Sequence, residues 1–194
     1  MTLEAAEKEL ALLDVQDFTI PLLSWKPVVQ AAFSSMPKRC WIFPGSRARV
    51  GAILRGASVQ RLADPLNGAK PYKIAPSSTH SARRALHAVG AAIHTQQPTL
   101  CILADAALAQ GAWTQALNLA GKTQAPVIFL VLRFPLENVG SPLSKQLYAD
   151  LSSICQSYRL TFMDAPPHEE SIKKHIELAC QSHTPTLIQT ILEK

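Results

Sequence analysis

The stretch Leu100–Leu132, LCILADAALAQGAWTQALNLAGKTQAPVIFLVL, constrains the fold more than any other part of the chain. It reads as strand, turn, helix, turn, strand. An apolar run opens it, a helical pattern fills the middle, and VIFLVL closes it. Near-continuous apolar strands are buried on both faces, and two of them joined through a helix form a parallel pair. One acidic residue, Asp105, stands at the first strand-to-helix turn. In an open α/β sheet, ligands bind outside the carboxyl ends of the strands. Asp105 is therefore the first candidate site residue.

The same alternation extends through the second half of the chain. Strands are predicted at Thr99–Leu103, Val127–Leu132, Leu160–Met163 and Thr186–Leu192. Helices are predicted at Ser81–His94, Trp113–Gly121, Ser144–Ser157 and Glu169–Ser182. Strand and helix in alternation give an α/β fold, a mostly parallel sheet with helices on both faces. The first half is more broken. Residues 3–13 read as a short amphipathic helix. Pro21, Pro27 and Pro37 punctuate loops around a short helix at Val28–Phe33, and CWIF (Cys40–Phe43) reads as a short strand. Arg47–Leu54 reads as helix ending at Gly56. Residues 64–79 are rich in Pro, Gly and Asn and read as a long surface loop. The expected organisation is one α/β domain over 1–194, with residues 1–38 as an extension and 39–194 as the main body.

Composition narrows the classes. Only 17% of residues are charged and 47% are hydrophobic, which excludes disorder. No apolar run approaches the roughly 20 residues a membrane helix needs. The first 20 residues carry Glu4, Glu7, Glu9, Asp14 and Asp17, the wrong charge for a secretory leader, so a cytoplasmic location is expected. Cys40, Cys101, Cys155 and Cys180 are widely spaced and are expected as reduced, mostly buried thiols. The net charge is +5. Lys38, Arg39, Arg47, Arg49, Arg55, Arg61, Arg83 and Arg84 sit among apolar residues without interleaved aromatics. A solvated face is the plainer reading of them. A basic module for anions or nucleic acid, using the arginines of residues 39–61, is the other.

Candidate chemistry is sparse. Asp105 is either a ligand for a metal bridging a diphosphate or a plain helix N-cap. His80, His87 and His94 recur every seven residues, which lacks the i,i+4 geometry of a zinc helix. His168, His175 and His183 do much the same around the last helix. Both sets read as structural or surface histidines. No GxSxG elbow, GxxxxGK[ST] loop or GxGxxG turn is present.

Four segments, in order, resemble the α subunit of the thiamine-diphosphate-dependent 2-oxo acid dehydrogenases, the first component of the pyruvate and branched-chain complexes. That family reads GDGAxxxGxxxEALNxAxxxxxPVIFxxxNN where this chain has ADAALAQG and then WTQALNLAGKTQAPVIFLVLRF. WIFPGSRARVGAILRG (Trp41–Gly56) is similar to the family's D-x-VFPSYRE-x-GxxLxRG. HAVGAA (His87–Ala92) matches the helix after its SxxGxQ-x-P segment, and TPTLIQTILEK its GPTLIEAxTYR strand. The similarity covers about residues 38–194. It implies the thiamine-diphosphate-binding fold, an oxidoreductase activity on 2-oxo acids, a cofactor of thiamine diphosphate with magnesium, and a β-type partner subunit.

The resemblance also assigns residues. The family's metal-binding Asp falls on Asp105, its diphosphate-gripping Tyr-Arg pair on Ser46 and Arg47, and its NN pair on Arg133 and Phe134. Phe134 offers no oxygen to a metal. Both GDG glycines are replaced, by Ala104 and Ala106, where glycine allows close approach of backbone to phosphate. The Gly and Gln that face the aminopyrimidine fall near Ala82 and Arg84. The family's catalytic loop falls on Leu136–Gln146, which holds no histidine. These departures lead to the expectation of a degenerate, shortened homologue. It would bind no cofactor in the usual way, carry no catalytic residue, and act as a structural or regulatory subunit in a homodimer or with a β-type subunit. An active α-type subunit is the first alternative and the basic module the second.

Overall fold

Five parallel strands form one sheet in the order β1-β2-β3-β5-β4. They are β1 (Ile42–Phe43), β2 (Thr99–Ala104), β3 (Val127–Arg133), β4 (Thr161–Asp164) and β5 (Thr186–Ile191). The computed structural model describes residues 2–12, 25–63, 69–76, 80–134 and 150–192. The helices are α1 (Leu3–Leu12), α2 (Lys26–Ser35), α3 (Gly45–Ala48), α4 (Val59–Ala63), α5 (Ser81–Thr95), α6 (Gly111–Thr123), α7 (Leu151–Ser157) and α8 (Glu169–Ser182). The α/β class with helices on both faces is therefore as expected.

The apolar strands explain the layering. Successive side chains of a strand point to opposite faces. Leu100, Ile102, Ile128, Leu130, Leu132 and Ile188 pack on one face with α1, α2, α4 and α8. Cys101, Leu103, Val127, Phe129, Val131 and Leu187 pack on the other with α5, α6 and α7. There Trp113 of α6 meets Phe129 edge-on, with centroids 5.0 Å apart. The chain order accounts for which helix lies where. From β1 through β2 and β3 to β4 the chain moves one way, and the connections α5, α6 and α7 share a face. The step from β4 back to β5 reverses direction, so α8 lies on the opposite face, as right-handed crossovers require.

Arg47–Leu54 is helical and the helix ends at Gly56, as expected, but α3 gives way to a 3-10 helix over Arg49–Arg55. The reason is packing, because Gly51 is pressed onto the Phe33 ring, where an added Cβ would lie 2.3 Å from Cδ2. The stretch at 64–79 is not all surface loop. Residues 64–68 and 77–79 lie outside the described residues, but Ala69, Ile74 and Ala75 are buried, and Ile74 bridges to Ile42. Helix α7 begins at Leu151, with Asp150 as its cap, and Ser144–Ala149 lie outside the described residues. Cys40, Cys101 and Cys155 are buried free thiols and Cys180 is half-buried, as expected. Burial pushes the Cys101 thiol up to about 11 and that of Cys155 to about 12. No described helix is long and apolar enough to cross a membrane.

Candidate functional site

The carboxyl ends of β1, β2 and β3 lie side by side, and each delivers one piece of the candidate site. After β1 the chain enters α3, which carries Ser46 and Arg47, both half-buried. After β2 comes Asp105, also half-buried between Ala104 and Ala106. The register pairs Ala104 with Leu132, so Asp105 and Arg133 occupy adjoining strand ends. Sequence-predicted Ser46, Arg47, Asp105, Arg133 and Phe134 thus share one edge of the sheet. The Leu136–Gln146 segment lies outside the described residues.

Asp105 is not the N-cap of the following helix. It opens a single 3-10 turn, Asp105–Ala107, and α6 starts only at Gly111, after Gln110. Its Oδ1 accepts the N–H of Ala106 at 2.8 Å. The carboxylate therefore satisfies one amide of the turn beside it, while Leu108 N–H closes the turn on the Asp105 carbonyl at 2.9 Å.

Phe134 has an aromatic partner. Its ring packs on Trp25, with centroids 6.3 Å apart and planes inclined at 32°. The guanidinium of Arg47 lies 5.8 Å from the centroid of the same Trp25 ring. The residue matching the family's metal-binding Asn and the residue matching its diphosphate-binding Arg are thus both engaged with one indole. Trp25 immediately precedes α2, whose Val28, Val29, Ala31, Ala32 and Phe33 are buried under the sheet, so the indole is anchored at the sheet edge. A cation over an indole contributes about 0.5–1 kcal/mol at an exposed site and more when desolvated. Arg133 is also committed, its Nη1 donating to Gln189 Oε1 of β5 at 3.2 Å.

A further cation lies beneath this edge. Arg84 of α5 is buried and donates from Nη2 to the carbonyl of Ile102 at 2.9 Å. Its guanidinium fills the space beside Gly45, where an added Cβ would come within 2.8 Å of Cζ. Gly45 has φ +73, so this position needs glycine for both its backbone and its neighbour.

The basic residues form a solvated face only in part: Lys38, Arg39, Arg61 and Arg83 are exposed and Arg47 is half-buried. Arg49, Arg55 and Arg84 are buried, at 3%, 7% and 6% exposure. A module gripping nucleic acid through the arginines of residues 39–61 therefore loses Arg49 and Arg55. His80, His87, His94, His168 and His183 are exposed and His175 is half-buried, with Nδ1 2.7 Å from the Ser171 carbonyl, which fits their structural or surface reading.

The donor set can be tested against thiamine diphosphate with magnesium. Magnesium demands a near-ideal octahedron of oxygens. The three strand ends supply one carboxylate, Asp105, beside a phenylalanine and an arginine that already has a partner. Among the described residues no group of three or more His, Cys, Asp or Glu side chains is placed to hold a metal. The residues present do not fit that group held in the family's manner. Sequence reasoning missed Trp25 as part of the edge, and it placed Arg84 near the site without its burial or its bond to the Ile102 carbonyl. For Trp25 the available signal was a lone tryptophan between prolines, with nothing in its spacing to place it.

No protein-family model matches the chain, and no curated protein sequence matches it. Solved structures do match. One is the X-ray structure of a proposed thiamin diphosphate-dependent enzyme from Mycobacterium smegmatis, at a TM-score of 0.58 and 18% identity. The match covers 86% of this chain and 31% of that one, so the chain spans less than a third of that protein's length. The chain shares its α/β fold with that structure over most of its own length.

Proposed function

We propose that the protein is a degenerate relative of the 2-oxo acid dehydrogenase α subunit that has given up the usual grip on thiamine diphosphate and magnesium. It acts as a structural or regulatory subunit, in a homodimer or beside a β-type subunit. The observation that carries this reading is the Phe134–Trp25–Arg47 stack. It commits two of the positions that match the family's cofactor contacts to each other's support. Ala104 and Ala106 in place of glycine act in the same direction by adding methyl groups beside the phosphate path.

A second reading, an active α-type subunit, is favoured by one observation. Asp105 stands half-buried at the end of β2, on the same sheet edge as Arg47. Thermal unfolding separates the two. A ligand at about 100 times its dissociation constant stabilises the native state by about 2.7 kcal/mol. For a chain of this size that corresponds to a rise of roughly 5–10 °C in the midpoint. The proposal expects no rise with millimolar thiamine diphosphate and magnesium together. A rise that needs both components overturns it.

A further inference from the structure

Arg55 ties two distant segments into one knot beside β1. Its Nη1 donates to the carbonyls of Cys40 (3.0 Å) and Tyr72 (3.1 Å), and its Nη2 to those of Met36 (2.8 Å) and Pro37 (3.1 Å). The strand adds a second tie. Ile42 N–H donates to the Lys73 carbonyl at 2.9 Å, and Ala75 N–H to the Ile42 carbonyl at 2.9 Å. Residues 36–42 and 70–75 are thereby held together at the β1 edge of the sheet.

Four cations emerge from this knot. Lys38, Arg39 and Lys70 are exposed. Lys73 is half-buried, with Nζ 5.3 Å from the centroid of the Trp41 ring. Arg39 donates from Nε to Gln97 Oε1 at 2.9 Å. No described carboxylate pairs with any of the four. Two of the three acids of α1 are used elsewhere, Glu4 on Lys26 and Glu9 on Gln60. The segregation is visible in the sequence. Residues 18–104 hold eleven Lys and Arg against one acid, Asp64, whereas the other residues hold eight basic and thirteen acidic ones. Asp64 lies outside the described residues. Like charges gathered on a rigid knot repel one another, and the repulsion is relieved by a ligand of opposite sign.

We propose that this edge is a docking surface for an acidic segment of a partner protein, bound through Lys38, Arg39, Lys70 and Lys73. The inference is independent of whether a cofactor binds. Two observations select the occupant. Binding of single-stranded nucleic acid relies on open aromatic faces for base stacking. Here Trp41 is already faced by Lys73 and leans at 45° on Phe43, which is buried. Addition of a strand to the sheet is also excluded, because Ile74 already bridges the outer side of Ile42. What remains free is charge, and carboxylates answer charge by charge-assisted hydrogen bonds.

The test is fluorescence anisotropy with a labelled poly-glutamate peptide, at low and moderate salt. The edge variant carries Lys38→Glu, Arg39→Glu, Lys70→Glu and Lys73→Glu. A control with the same charge change carries Lys122→Glu, Arg159→Glu, Lys173→Glu and Lys174→Glu, all exposed. The wild type should bind, more weakly as salt rises. The edge variant should lose about tenfold or more in affinity, and the control less than about threefold. Circular dichroism checks that both fold. If the edge variant does not, Lys38→Glu and Lys70→Glu are measured singly, and each should weaken binding more than Lys122→Glu. Equal losses in the edge and control proteins, or no binding at all, overturn the proposal. So does tighter, edge-dependent binding of an oligothymidylate of equal charge, which assigns the surface to nucleic acid.

Discussion

Single residues at the strand ends decide how the molecule is read. Asp105 stands at the end of β2 with Oδ1 accepting the adjacent Ala106 amide, and its neighbours Arg133 and Phe134 have partners of their own. Arg55 makes the same point about burial. Its charge is held by four backbone carbonyls, and burial holds its guanidinium below its ordinary range. Hydrogen bonds to a charged group contribute about 1.5–3 kcal/mol each, and losing the donor also strands buried carbonyls. Arg55→Met should therefore cost about 3 kcal/mol or more in urea unfolding, while the exposed Arg61→Met stays within about 0.5 kcal/mol. Equal small losses would show that the clasp contributes little. At this scale the sequence was partly legible. Asp105, Ser46, Arg47 and Phe134 could be placed at the strand ends because they lie in motifs of fixed spacing. The clasp could not, because the carbonyls it binds lie 15 to 19 residues away and carbonyl positions leave no mark in residue identity.

Elements were legible where packing and pattern agree. β2, β3 and β5 are apolar runs buried on both faces, and each was placed within a residue or two. The helix ending at Gly56 was legible, but its 3-10 type over Arg49–Arg55 was not, since the close approach of Gly51 to Phe33 leaves no mark in the spacing. Helix α7 was read as starting too early because its cap is not a break in apolar pattern. Asp150 takes the Ser153 N–H at 2.8 Å and the Ser152 hydroxyl. The Ser152 hydroxyl and then the Ser153 N–H hold its carboxyl down to about 2, against an ordinary 3.8. A carboxylate whose folded value is depressed adds stability above its ordinary value and loses it as pH falls through the folded value. The midpoint gap between wild type and Asp150→Ala should therefore be constant from neutral pH to about 4. It should close as pH approaches 2. A gap that is unchanged at pH 2 would show that the aspartate contributes nothing through its charge.

At the scale of the whole molecule, side chains at the carboxyl ends of β1, β2 and β3 engage one another, and apolar surface remains outside. Leu54, Leu178 and Ile191 are 40%, 45% and 45% exposed. Static light scattering at micromolar concentration should show a dimer or larger species, or a stable complex with a β-type subunit. A clean monomer that binds no such subunit contradicts the partner role. The strand alternation and the resemblance together made the fold legible. The surroundings of the strand ends were legible only in part, since Phe134 could be seen as a residue without a ligand oxygen but not as the partner of Trp25. We propose that this edge does not hold thiamine diphosphate and magnesium. Isothermal titration of the wild-type protein with both decides this, and no binding heat is expected at physiological concentrations. Micromolar binding that disappears in Asp105→Ala would contradict it.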